Sequence, residues 1–77
     1  NPFSHQTKIG FKLPEAADAT LKIYDQTGKI LHMQKNSFAK GMNHFTVQNA
    51  DLGTSGIMYY EVSSENFKAT RKMIGIK

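Results

Sequence analysis

The stretch "LKIYDQTGKIL", residues 21–31, decides how this chain is to be read. Leu21 and Ile23 alternate with Lys22, the period of a half-buried strand. Asp25-Gln26-Thr27-Gly28 follows, and then Ile30-Leu31. The spacing predicts a type I turn with Gly28 in the left-handed region, closing a hairpin. Asp25 and Gly28 are therefore assigned to backbone geometry and not to chemistry. Glycine reaches positive φ at no steric cost.

The same alternation recurs outward from this hairpin. Lys8–Leu13 places Ile9, Phe11 and Leu13 on one face. Ala19–Tyr24 turns Ala19, Leu21 and Ile23 inward, leaving Thr20, Lys22 and Tyr24 outward. Lys29–Lys35 resumes after the turn, with Leu31 and Met33 expected inside. Asn43–Gln48 carries Phe45 and Val47 on one face, and Ile57–Ser63 and Lys68–Ile76 complete the set. Gly41 and Gly53–Gly56 are further breaks, Gly56 among them, and Ser64-Glu65-Asn66 is a short turn. The one helical candidate, "PEAADATL", is too short, and Pro14–Asp18 is read as a loop. Six or seven short strands without crossover helices predict an all-β antiparallel sandwich.

Seventy-seven residues hold one domain. With no cysteine, a disulfide framework and a thiolate metal site are excluded. No apolar run approaches the roughly 20 residues of a membrane-spanning helix. The opening "NPFSHQT" has neither a signal-peptide pattern nor an initiator Met, which suggests a fragment of a larger secreted protein. The net charge is +4. Residues 1–65 are balanced: Lys8, Lys12, Lys22, Lys29, Lys35 and Lys40 offset Glu15, Asp18, Asp25, Asp51, Glu61 and Glu65. The whole excess lies in Lys68, Arg71, Lys72 and Lys77. Such a segment can contact an acidic partner, or it can protect a strand edge with lysines.

Candidate chemistry is sparse. His5, His32 and His44 lack metal-ligand spacing. Ser37, Ser55, Ser63 and Ser64 have no nucleophile elbow around them. "GTSG" (53–56) lacks the lysine of a phosphate loop. Glu61 and Glu65 could pair, but a glycosidase needs a cleft that so small a sandwich rarely forms. Tyr59, Tyr60 and Phe67 could form a stacking platform, yet adjacent strand residues face opposite sides, so core packing is preferred. No enzyme, cofactor, metal or nucleic-acid partner is expected.

Six ordered stretches resemble one family: "NPF" (1–3), "IGFKLP" (9–14), "LKIYDQTGKIL" (21–31), "GMNHFTV" (41–47), "LGTSGIMYYEV" (52–62) and "FKATRKMIGIK" (67–77). Together they resemble the type A C-terminal sorting domain of proteins exported by the type IX secretion system of Bacteroidetes. Met58 stands where an aromatic is usual in that family. The resemblance implies an immunoglobulin-like sandwich over residues 1–77 that catalyses nothing. It implies a cargo domain on the N-terminal side, passage through the periplasm to the outer membrane or cell surface, and recognition by the outer-membrane translocation machinery. Removal by a cell-surface sortase is implied as well. The last strand is the expected signal, with Lys68, Arg71, Lys72, Met73, Ile74, Ile76 and Lys77 as recognition residues. Ile74 and Ile76 share a strand face with Lys72 and are expected to hold the strand to the sandwich or to a partner. An edge strand could also pair two copies. The alternative is an immunoglobulin-like accessory module of a secreted protein, flagellar hook-capping-like or carbohydrate-binding. The hook-capping pattern carries a tryptophan that this chain lacks.

Overall fold

The computed structural model describes residues 2–3, 5–53, 56–65 and 67–75, with side chains described within 5–53 and 56–65. Seven strands follow in order: β1 (Pro2–Phe3), β2 (Gln6–Leu13), β3 (Ala17–Tyr24), β4 (Ile30–Phe38), β5 (Gly41–Gln48), β6 (Gly56–Ser64) and β7 (Phe67–Gly75). A 3-10 turn, Asn49–Asp51, links β5 to β6. The strands form two sheets. One has the order β1-β7-β6-β3-β4, and the other is the pair β2-β5. The chain therefore changes sheet between β1 and β2, β2 and β3, β4 and β5, and β5 and β6.

The alternating positions of the sequence make the core. Ile9, Phe11 and Leu13 from β2 meet Ala19, Leu21 and Ile23 from β3, with Phe45 and Val47 from β5. Leu52 and, from β6, Met58 and Val62 complete the buried set, and no described polar side chain is buried with them. Met58 is fully buried. Its flexible thioether adapts to an irregular buried space. Phe11, Phe38 and Phe45 form a three-ring cluster that joins the sheets. Phe11 and Phe45 stack at 5.1 Å, and Phe38 meets each edge-on, at 4.9 and 5.0 Å.

The 25–28 segment is a type I turn: the Gly28 amide donates to the Asp25 carbonyl at 3.1 Å. Gly28 has φ of 93°. The Asp25 amide donates to the Lys29 carbonyl at 3.0 Å, closing the bulged hairpin. One Asp25 carboxylate oxygen accepts from the Thr27 amide, the Thr27 hydroxyl and the Lys29 amide at 2.8, 2.6 and 3.0 Å. This explains the aspartate in the motif: it satisfies amides that the turn leaves unpaired.

Two expectations are corrected. Met33 lies outside, 60% exposed. The β3–β4 register shifts between Ile23, opposite His32, and Tyr24, opposite Ile30, so Leu31 is an extra residue in β4. Past that bulge His32, Gln34 and Asn36 share the inward face with Phe38, and Met33 is turned out opposite Lys22. Only Pro14–Ala16 remain outside strands in the expected loop, because Ala17 and Asp18 already pair with Phe38 and Ser37. The Ser37 hydroxyl donates to the Asp18 carboxylate at 2.6 Å, which secures that end. Within this otherwise antiparallel sandwich the two-residue β1 runs parallel to β7, pairing Pro2 with Ile74 and Phe3 with Gly75.

Candidate recognition strand

β7 carries the sequence-predicted recognition residues. Its backbone pairs with β6 along its full length, from Ser64 opposite Phe67 to Gly56 opposite Gly75. The side chains of Lys68, Arg71, Lys72, Met73 and Ile74 lie outside the described ones, and Ile76 and Lys77 lie outside the described residues. The question of what Ile74 and Ile76 hold in place therefore lies outside them too. The register nevertheless defines the surroundings. Opposite positions of an antiparallel ladder belong to one face. Met73 is opposite the buried Met58, and Arg71 is opposite Tyr60, which packs on the core. Lys72 is opposite Tyr59, and Ile74 is opposite Ile57, which is 39% exposed.

Only Ile74 and Gly75 have a neighbour on the far side of β7, through β1. From Phe67 to Met73 that edge of the ladder is unpaired among the described residues. The strand thus combines the cationic excess of the chain with an open backbone edge.

The outer face beside it has features that the sequence did not signal as a group. Tyr24 and Tyr59 are directly paired across β3 and β6, with ring centroids 6.1 Å apart and planes 26° from parallel. Only the outward phase of Tyr24 was legible. The next row places Lys22 between Met33 and Glu61. The Asp25 turn lies at the same end of the sheet, directly after the Tyr24–Tyr59 row. The Thr27 hydroxyl above all, then the Lys29 and Thr27 amides and the Lys29 charge, hold the Asp25 carboxyl below its ordinary 3.8 against the opposing effect of desolvation.

The remaining candidates stay apart. His5 and His44 are exposed and His32 is half-buried, bonded to Gln34 at 2.8 Å. Among the described residues no three His, Asp or Glu side chains come together in a way that could hold a metal ion. Gly41 and Gly56, named from sequence as breaks, both have φ of 106°.

A family model described as the Secretion system C-terminal sorting domain matches residues 1–77. The chain belongs to this family. The sorting domain is a non-catalytic C-terminal secretion signal for cargo of the type IX system. Cargo of this system is exported to the cell surface or the outer-membrane region. A sorting domain implies a cargo fused on its N-terminal side and the type IX machinery as its reader. No curated protein and no solved structure matches this chain, so the immunoglobulin-like reading rests on the family resemblance.

Proposed function

We propose that β7 and the residues after it are the part of this sorting domain that the translocation machinery reads. Lys68, Arg71, Lys72 and Lys77 supply cationic contacts to acidic groups of the receptor. Ile74 and Ile76, on the face of Lys72, supply apolar ones, whereas Met73 stands opposite the buried Met58 on the core face. The observation that carries this reading is the coincidence of two properties in one strand. All of the net charge lies in residues 66–77, with three of the four cations there in β7 itself, and among the described residues β7 is unpaired along one edge from Phe67 to Met73. An unpaired edge can accept main-chain hydrogen bonds from a receptor strand, while the side chains set specificity. On this reading residues 1–77 are one domain of a larger secreted protein, without catalytic activity of its own. A surface sortase removes it after export, and the domain self-associates through a strand edge.

The competing account is that the cations only keep an exposed edge from aggregating. A fluorescent cargo with a Sec signal, fused to residues 1–77 in a host with the type IX system, separates the two. Deleting Met73–Lys77 should abolish surface display. That deletion removes the partner of the buried Met58, so the double change Lys72→Glu and Lys77→Glu is the folded counterpart. It should reduce display while circular dichroism and the melting transition stay unchanged. Normal display by the folded double variant would sink the recognition role.

A further inference from the structure

We propose that the open edge of β5 is the surface through which two copies of this domain pair, antiparallel, about a two-fold axis at Thr46. The proposal rests on the self-association just put forward and specifies the strand.

The strand edges differ in how they are guarded. The free edge of β2 carries Lys8 and Lys12. β4 carries Lys35 and the bulge at Leu31, and β7 carries Lys68, Arg71 and Lys72. Lysines and bulges are the usual means of keeping an edge from pairing. β5, "GMNHFTVQ", has no lysine, arginine, carboxylate or proline. Its register with β2 is unbroken from Gly41 to Gln48, and among the described residues it has no neighbour on its other side. The Asn43 side-chain amide already donates to the carbonyls of Ala39 and Gly41 at 2.8 and 3.1 Å. The segment left for pairing is 44–48, before the 3-10 turn ends the strand.

This segment is complementary to itself. Set antiparallel to a second copy about Thr46, it places Phe45 against Val47 on the inward face, twice by symmetry. Both are buried in the single domain already, at 1% and 0% exposure, so on this face the pairing keeps the core intact and adds main-chain hydrogen bonds. On the outward face Thr46 meets Thr46, also favourable, and His44 meets Gln48. No cation meets another, whereas β2 or β4 pairing with itself would bring lysines together in a molecule of net charge +4. Isologous two-fold contacts of this kind are the commonest form of homodimer. β7 lies in the other sheet, so pairing through β5 leaves it open to a receptor.

Thr46→Glu is the discriminating variant. In the single domain the new carboxylate lies opposite Lys8, a favourable pair. In the dimer it lies opposite its own copy at the axis. Sedimentation equilibrium across the micromolar to millimolar range should show a monomer–dimer equilibrium for residues 1–77. Thr46→Glu should raise the dissociation constant at least about fivefold, and Thr46→Val should not weaken it. Amide exchange within 44–48 should slow as concentration rises. The double variant His44→Lys with Gln48→Lys, opposite Gly10 and Gln6 in β2, sets lysine against lysine twice across the axis; it is a second variant should Thr46→Glu fail to fold, and it too should weaken the dimer. A monomer at every concentration overturns both the edge assignment and self-association. A dimer of unchanged affinity in folded Thr46→Glu, or in the folded double variant His44→Lys with Gln48→Lys, overturns the β5 edge alone.

Discussion

Phe45→Ala probes whether the two sheets are held together by the three-ring cluster. Phe45 is 1% exposed, stacked on Phe11 of its own sheet and edge-on to Phe38 of the other. Truncating a fully buried phenylalanine removes its transfer energy and leaves a cavity, at a cost of about 3–5 kcal/mol. A chain of 77 residues has a total stability of about 4–12 kcal/mol. The variant should therefore lose about a quarter of its stability or more, and at the low end it should not fold. In a domain of this size about 4–8 °C of melting temperature goes with each kcal/mol, so the midpoint should drop by at least about 12 °C. Phe45→Leu keeps most of the volume and should cost well under half as much. The inter-sheet contact is isolated by combining Phe45→Leu with Phe38→Leu. Their edge-on pairing should appear as a coupling of about 0.5–1.5 kcal/mol. Urea denaturation followed by far-UV circular dichroism and tyrosine emission gives the midpoints, and an unchanged slope certifies that the same surface unfolds. A loss below about 1 kcal/mol for Phe45→Ala would refute the packing described here, because that is the range of a surface change.

Two further outcomes follow from the hairpin. Gly28→Val should lower stability by at least about 1 kcal/mol in urea titration, since φ of 93° strains a β-branched residue although no atom lies within 4 Å of the added Cβ. The Asp25 carboxyl has its pKa lowered by folding, so its contribution is complete above the ordinary value of 3.8 and is lost as pH falls through the lowered one. Urea midpoints of the native chain should fall across that acid range more steeply than those of Asp25→Asn, and parallel curves would contradict the hydrogen bonding seen at the turn.

The Asp25–Gly28 turn and the inward faces of β2, β3 and β5 were legible in the sequence because each depends on local rules. The turn is a matter of which residues tolerate positive φ and cap free amides. The inward faces follow from strands with one buried side, in which apolar residues alternate without a break. β4 was not legible, since Ile30-Leu31 allows either phase. The phase is chosen by the bulge opposite Ile23 and Tyr24, which exposes Met33 and brings His32, Gln34 and Phe38 inward. Nor could any pattern reveal Pro2–Phe3 as a strand. Two residues have no periodicity, and their partners, Ile74 and Gly75, lie at the other end of the chain. The same holds for the candidate site. Composition located the cationic segment, but a sequence carries no record of which strand lies beside which. Only the strand orders β1-β7-β6-β3-β4 and β2-β5 show that, among the described residues, β7 keeps an open edge, that Tyr59 is its neighbour opposite Lys72, and that β5 has a partner on one side alone. Sheet order is decided by which apolar faces cover one another most completely, and that is a property of the assembled core.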